Sequence, residues 1–293
     1  MKPTFHPKVI LITGCSSGFG LLMAARFASK GHKVYATMRD TRKKEALLNE
    51  LKKRGAQAEI LMMDVTNNKE IFTVINKIGI DYGYVDVLIN NAGYGIGGFF
   101  EDLTEEEIRK QMDTNFFGVQ NVIRATLPLM RPRKKGTIIN ISSIAGLYTS
   151  PAFSAYNTSK WALEAFSESL RYELNPFGID VCLIEPGSYR TKIFEENARY
   201  AKNFDNPESP YYQMSQRLKK RLKEHVSDLH KDPEEIAILA EKLITVNNPP
   251  LRNIPDIEAK TLYFLRRLLP TNIFMHLLYK IFSKEFNNKK KGI

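Results

Sequence analysis

Short apolar runs alternate with longer amphipathic stretches along the chain as far as residue 190. The runs are KVILIT at 8–13, KVYATM at 33–38, AEILMMDV at 58–65, VDVLIN at 85–90, GTIINIS at 136–142 and DVCLIEP at 180–186. Each is too short for a helix and lacks the polar alternation of a half-exposed strand, so each predicts a strand covered on both faces. Between them lie helical patterns such as FGLLMAARFASKG, which closes on Gly31, a natural helix stop. Strand and helix in regular succession predict the α/β class, as a three-layer, doubly wound parallel sheet of about seven strands.

After residue 190 the rhythm stops. Residues 191–250 carry Asn206-Pro207, Ser209-Pro210 and basic helical pieces, with one further short strand near LRNIP. The chain reads as a single domain over 1–255, in which 191–225 forms a flexible lid over a substrate site, followed by a helical appendage over 256–293. No internal repeat is visible.

Composition narrows the picture. With 293 residues, 43% hydrophobic and 26% charged, the chain can bury a substantial core and is not a disordered polymer. Cys15 and Cys182 are too few for a disulfide framework or a thiolate site, and the five histidines lack ligand spacing, so no metal is expected. The N-terminal MKPTFHPKVILITG has no export pattern, which favours the cytoplasm. The most apolar stretch, TLYFLRRLLPTNIFMHLLYKIF, is broken by Arg266, Arg267 and Pro270 and cannot span a bilayer. The formal charge of +11 is concentrated in RLKKRLKEH at 217–225, in Arg266 and Arg267 and in KKK at 289–291. No nucleic-acid-binding pattern accompanies it, whereas a basic, aromatic C-terminal segment suits peripheral contact with anionic lipid.

Two stretches carry chemistry. TGCSSGFG, Thr13 to Gly20, follows the first strand and opens the first helix, and its glycines at 14, 18 and 20 let backbone approach a pyrophosphate at a helix N-terminus. SAYNTSK at 154–160 sets Tyr156 and Lys160 four apart on one helix face, where an ammonium group can stabilise a phenolate.

Together with NNAG at 90–93 and a serine, Ser143, thirteen residues before Tyr156, these motifs resemble the short-chain dehydrogenase/reductase family over about residues 8 to 191. The resemblance implies a Rossmann-like fold and an NAD(P)-dependent alcohol dehydrogenase or carbonyl reductase. It assigns catalysis to Tyr156, Lys160, Ser143 and Asn115. Tyr156 exchanges a proton with the substrate oxygen, its pKa lowered by Lys160 and by the nearby nicotinamidium, while Ser143 holds that oxygen and Asn115 holds a water of the proton relay. The implied cofactor residues are Gly14, Ser16, Ser17, Gly18, Phe19, Gly20, Arg39, Asp64, Val65, Asn91, Ala92, Gly93, Pro186, Gly187, Ser188 and Thr191, together with Tyr156 and Lys160. Gly93 is expected to let backbone approach the cofactor ribose, and Asp64 to accept from the adenine amine.

The ATMRD segment puts Met38 where NAD-preferring relatives carry aspartate, with Arg39 next, so NADP(H) is favoured. A shifted alignment would make Asp40 a ribose ligand and allow NAD(H). Ser143, Tyr148, Phe153, Tyr189 and Phe194 are expected to wall a substrate site suited to a lipophilic alcohol or ketone, and the motifs are similar to the branch of 17β-hydroxysteroid and retinol dehydrogenases. Helices over 105–129 and 156–174, with Phe116, Phe117, Phe166 and Leu170, resemble the pair through which relatives form homodimers and homotetramers. Cys15 and Trp161 are expected to be packing residues. A redox-inactive NAD(P)-sensing or scaffold protein of the same fold is the alternative.

Overall fold

The computed structural model describes residues 6–191 and 199–286. In chain order the elements are β1 (Val9–Ile12), α1 (Gly18–Ser29), β2 (Lys33–Met38), α2 (Glu45–Lys53), β3 (Glu59–Met62), α3 (Asn68–Tyr82), β4 (Val87–Asn90) and β5 (Ile96–Gly97). There follow α4 (Glu105–Met112), α5 (Gly118–Met130), β6 (Gly136–Ile141), α6 (Ser154–Leu174), β7 (Ile179–Ile184), β8 (Arg199–Tyr200), α7 (Tyr212–Ser227), α8 (Glu234–Leu243), β9 (Arg252–Asn253), α9 (Ile257–Leu268) and α10 (Thr271–Phe286).

Seven strands form one sheet in the order β3-β2-β1-β4-β6-β7-β9, and every neighbouring pair is parallel. Successive side chains of a strand leave opposite faces, and β1 shows both destinations. Ile10 and Ile12 join a core with α1, α2 and α8 residues such as Phe27, Leu47 and Ile236. Val9 and Leu11 join the other core with α3, α5 and α6 residues such as Ile75, Val122 and Leu163. The absence of polar alternation in the interior strands thus reflects helices on both faces; the AEILMMDV run departs from that expectation, because β3 is an edge strand with Glu59 and Met62 exposed.

Local signals set the element ends. Gly31 ends α1 in left-handed backbone, φ +85°. Asn67 caps α3, and Thr104 with Glu107 forms a reciprocal capping box at the start of α4. Between α4 and α5 the helix widens into a π turn over Asp113–Phe117. A buried polar chain the sequence does not advertise crosses one layer: Asn90 Nδ2 donates to Asn140 Oδ1 (2.9 Å) and Asn140 Nδ2 to Ser167 Oγ (2.9 Å), fixing α6 against β4 and β6.

Several expectations change. Leu170 is buried against the sheet and Phe166 packs beside that core, leaving Phe117 as the exposed member of the proposed interface set. Trp161 is 40% exposed, so it does not serve as core packing. Cys15 does, at 0% exposure. The segment expected as a lid contains a strand that the sequence reading lacked: β8 pairs with β5 in a two-stranded parallel sheet. It is docked as well, since Lys202 N donates to Glu107 (2.8 Å), Ser209 Oγ to the buried Asp102 (2.5 Å) and Tyr211 Oη to Glu101 (2.7 Å). The expected helical appendage is present as α9 and α10.

Candidate active site

The carboxyl ends of β1, β4, β6 and β7 open on one crevice, where the strand order reverses between β1 and β4. The glycine loop lies on one side. Gly14 (φ +74°) and Gly18 (φ +58°) hold left-handed backbone. A side chain on Gly14 would stand 2.7 Å from Ala92 Cα, and one on Gly20 would stand 2.4 Å from Asn91 Nδ2 and 2.5 Å from Gly14 O.

Asn91 and Ala92 are therefore the floor of the loop. Asn91 Nδ2 donates to the carbonyls of Thr13 (2.9 Å) and Gly14 (3.0 Å), and Thr13 Oγ1 accepts from the amides of Asn91 (3.0 Å) and Ala92 (2.9 Å). Helix α1 begins at Gly18 with no acid in its first turn, so its unpaired N–H groups and dipole favour an anion. Ser16 and Ser17 sit partly exposed beside them, and Phe19 turns its ring edge-on to Tyr189. The donor set and the lack of side-chain bulk fit a dinucleotide pyrophosphate. Gly20→Ala is expected to cost about 1–3 kcal/mol of stability by overpacking, and to weaken cofactor binding by about tenfold or more. A thermal melt and a cofactor titration read the two effects.

Arg39 lies exposed just past β2, whereas Met38 is buried. Asp40 is engaged locally: its carboxylate accepts from Arg42 Nε (2.8 Å), Nη2 (3.0 Å) and the Arg42 amide (3.1 Å). Asp64 Oδ1 closes a turn on Thr66, accepting from its amide (2.9 Å) and hydroxyl (2.8 Å), so this oxygen already has a structural use. Val65 is buried under Gly118, where an added Cβ would come within 2.6 Å of its side chain.

The residues expected to react lie at the start of α6. The Tyr156 ring lies against Gly95, where an added Cβ would be 3.4 Å away, and its hydroxyl is near enough to Ser143 for that serine to favour the phenolate. Ser143 Oγ also accepts from Ala145 N (3.1 Å). Lys160 is buried, donates from Nζ to Ile141 O (2.9 Å) and stands 5.8 Å from the centre of the Tyr156 ring. Burial lowers its pKa to about 8, against the opposing pull of Glu164 one turn further along α6.

Burial raises the Tyr156 phenol above its ordinary value, and nearby Ser143 pulls it back, while Lys160 is not among the causes of the shift. The π turn presents Asn115, whose Nδ2 donates to Tyr94 O (2.9 Å) and Ser159 Oγ (3.1 Å) and whose Oδ1 accepts from Tyr94 N (3.1 Å). Gly93 makes room for that amide: an added Cβ would be 3.2 Å from Asn115 Oδ1.

The turn after β7 closes the crevice. Pro186 O accepts from Ile144 N (2.9 Å), tying it to the Ser143 loop, and Gly187 N donates to Asp256 Oδ2 (2.9 Å). Ser188 is partly buried, and Thr191 stands over the glycine loop, 3.7 Å from where a Gly18 Cβ would be. Tyr148 and Phe153 are partly buried near Tyr156, with Phe153 against Gly97. Tyr189 is different. At 1% exposure it packs among α1 and α8 and its hydroxyl donates to Glu235 (3.2 Å), so it is a core residue and not an open substrate wall. Phe194 lies outside the described residues.

Three features escape the motif pattern. Tyr94 lines the site, its ring under the Arg199 guanidinium at 4.0 Å. Asp256, 7% exposed, holds the Gly187 turn from the far end of the chain. A buried charge cluster also continues the Tyr156–Lys160 face of α6 through Glu164: Arg252 of β9 pairs with Glu164, with Glu168 (3.1 Å) and with Glu185 (3.4 Å). The i, i+4, i+8 spacing of Tyr156, Lys160 and Glu164 is the signal that could have found Glu164. Glu185, an acid closing an apolar strand, signals a partner without naming it. Burial, then repulsion from Glu164, raises the Glu185 pKa to about 8. No group of residues suited to holding a metal ion occurs among the described residues.

A glycine loop at a helix N-terminus beside the carboxyl ends of a doubly wound parallel sheet fits a nucleotide-binding oxidoreductase fold. Residues 8–201 match the family described as short chain dehydrogenase, and the chain belongs to that family. It is similar to the 3-ketodihydrosphingosine reductase of Bacteroides thetaiotaomicron, 38% identical over 93% of this chain and 97% of that protein. It is also similar to human retinol dehydrogenase 8, 34% identical over 89% of this chain and 85% of that protein. Among solved structures, a short chain dehydrogenase/reductase from Burkholderia phymatum in complex with NAD superposes with a TM-score of 0.78 at 26% identity, covering 90% of this chain and 94% of that one. The chain is an NAD(P)-dependent oxidoreductase of small organic molecules.

Proposed function

We propose that the chain interconverts a lipophilic alcohol and its carbonyl compound with NADP(H), in the manner of the retinol and 17β-hydroxysteroid dehydrogenase branch. The observation that carries this is the grouping of Tyr156, Ser143 and Lys160 at the carboxyl ends of the central strands, with Ser143 close enough to hold down the phenol's pKa and Lys160 5.8 Å from the ring centre. A nicotinamide cofactor bound in the crevice supplies or accepts the hydride at the carbonyl carbon. The protein does the rest. Ser143 orients the substrate oxygen, Tyr156 Oη gives it a proton during reduction, and Lys160, charged below about pH 8, favours the phenolate left behind. Asn115 secures Tyr94 and the Gly93–Gly97 strand against Tyr156, and a water beside it would extend the proton path.

Several observations support the finer points. Tyr148 and Phe153 give the site an aromatic side, and two of the similar proteins are named for a lipid ketone and for retinol. The contacts of Ser209, Tyr211 and Lys202 with the 101–107 segment support 191–225 as a lid within a catalytic domain over 1–255, with 256–293 as an appendage. Exposed Phe117, Trp161 and Tyr172 on α4–α6 and the turns between them support a homodimer or homotetramer. Two buried free thiols, Cys15 and Cys182, suit the reducing cytoplasm.

Loss of NADPH absorbance across a panel of lipophilic ketones tests the reading. Turnover supports it; tight NADPH binding without turnover of any panel member overturns it in favour of an NAD(P)-sensing scaffold. Asp40 tied to Arg42 and an exposed Arg39 at the strand end support Arg39 as the partner of a 2′-phosphate. Arg39→Asp is expected to lower the NADPH-to-NADH ratio of kcat/KM by about tenfold or more, the loss of a charge-assisted hydrogen bond. An unchanged ratio would remove Arg39 from cofactor choice.

A further inference from the structure

Helix α9 is apolar on its outward side. Ile257 (78% exposed), Phe264 (57%), Leu265 and Leu268 (77%) stand in one stripe at i, i+7, i+8 and i+11, while Ala259 faces inward. Lys260 and Arg267, seven apart, border the stripe along one side, and both are exposed. On α10, Ile273, Leu277 and Ile281 repeat the arrangement at i, i+4 and i+8, with exposed Lys280 beside them. A groove of about 310 Å³ joins the two helices, lined by Leu262, Leu265, Phe274, Leu277, Leu278, Ile281 and Lys280. Single exposed apolar side chains are ordinary, but a contiguous patch with a polar rim marks a surface that something covers.

We propose that the α9–α10 pair seats the protein on an anionic lipid surface, lying in the plane of the interface. Charge selects this occupant. A second copy meeting this face through a two-fold axis would bring Lys260, Arg267 and Lys280 of both copies into one dry contact, where like charges repel. A bilayer instead offers acyl chains to the stripe and phosphates to the basic rim, which long side chains reach by extending sideways. The excess of positive charge over the whole chain, +11, acts in the same direction. Among the described residues no helix is long and apolar enough to cross a membrane, so the pair rests on the surface and does not span it. The N-cap of α9, Asp256, is also the residue that holds the Gly187 turn.

The test is sedimentation of the full-length protein with vesicles of phosphatidylcholine alone and of phosphatidylcholine mixed in equal parts with phosphatidylserine. Binding to the mixed vesicles, weakened by salt, is expected. Phe264→Glu with Leu268→Glu should reduce the partition coefficient by about tenfold or more. Lys260→Glu and Arg267→Glu should each reduce it by about fivefold or more. All of these side chains are exposed, and an unchanged melting temperature confirms that each variant folds. Equal binding by wild type and the Phe264→Glu, Leu268→Glu variant would overturn the proposal. So would failure to sediment with either vesicle, or a concentration-dependent dimer that the same double substitution dissociates. Ketone turnover by the protein in the absence of vesicles is a separate result, so the redox reading and the lipid reading fail independently.

Discussion

Tyr156→Phe is expected to lower kcat/KM for carbonyl reduction by about 10²- to 10⁴-fold, the contribution of a positioned general acid. The substitution removes the hydroxyl and leaves the ring, which packs against Gly95 at the start of α6, so the backbone has no reason to move. Ser143 keeps the Ala145 amide as its donor. The floor of the glycine loop, built from Thr13, Asn91 and Ala92, is untouched, so cofactor affinity should stay within about twofold of wild type, well under the 1.4 kcal/mol that marks a decade. Steady-state kinetics with a cofactor titration separate the two. A variant that turns over at the wild-type rate would mean that the proton comes from another group, and one that loses cofactor binding instead would make Tyr156 a structural residue.

Arg252→Met is expected to cost about 3–5 kcal/mol of folding stability near pH 8, because it leaves the buried carboxyls of Glu164 and Glu185 without their guanidinium. The pH dependence gives the prediction its sign. Burial and repulsion from Glu164 hold the Glu185 pKa at about 8, raised from the ordinary 4.5, and burial raises that of Glu164 as well. A carboxyl whose pKa is raised in the fold contributes stability that is full below its unfolded pKa and is lost as pH climbs through the folded value. Loss of the guanidinium raises the folded pKa values further. The gap between wild type and variant should therefore widen as pH rises through and above about 8, where Glu185 ionises in the wild type but not in the variant, read from urea midpoints at a series of pH values. A gap that narrows over this range would show that the guanidinium does not neutralise the two acids.

The parts of this protein legible in the sequence are those whose physics is local. A strand buried on both faces must be apolar throughout, so β1, β2, β4, β6 and β7 stand out as runs, and a turn that needs left-handed backbone shows its glycines at 14 and 18. Tyr156 and Lys160 share a helix face through spacing alone. What stayed hidden depends on partners far along the chain. Asn90 meets Asn140 across fifty residues, Arg252 meets Glu164 across eighty-eight, and neither residue type announces a buried partner. The β5–β8 pair offers two residues from each side, below the length at which alternation can be read.

Tyr189 was misplaced for a related reason: adjacency to the PGS turn says nothing about which way a ring swings, and Phe19 and Glu235 supply a partner inside. The raised phenol of Tyr156 reflects the same limit. Spacing shows which groups are close, but the cost of taking a hydroxyl out of water depends on everything packed around it.

One carboxylate ties the end of the chain to the middle of the fold. Asp256 caps α9 through the amide of Ala259, accepts from Gly187 and pairs with Lys231 at 3.0 Å, all from a side chain sealed off from solvent. A shortened protein ending at 255 would lose this clasp along with the two surface helices and leave the Gly187 turn unmoored. Deleting the tail at that point would therefore injure the enzyme and the surface contact together, and only point changes on the outer side of α9 can tell them apart.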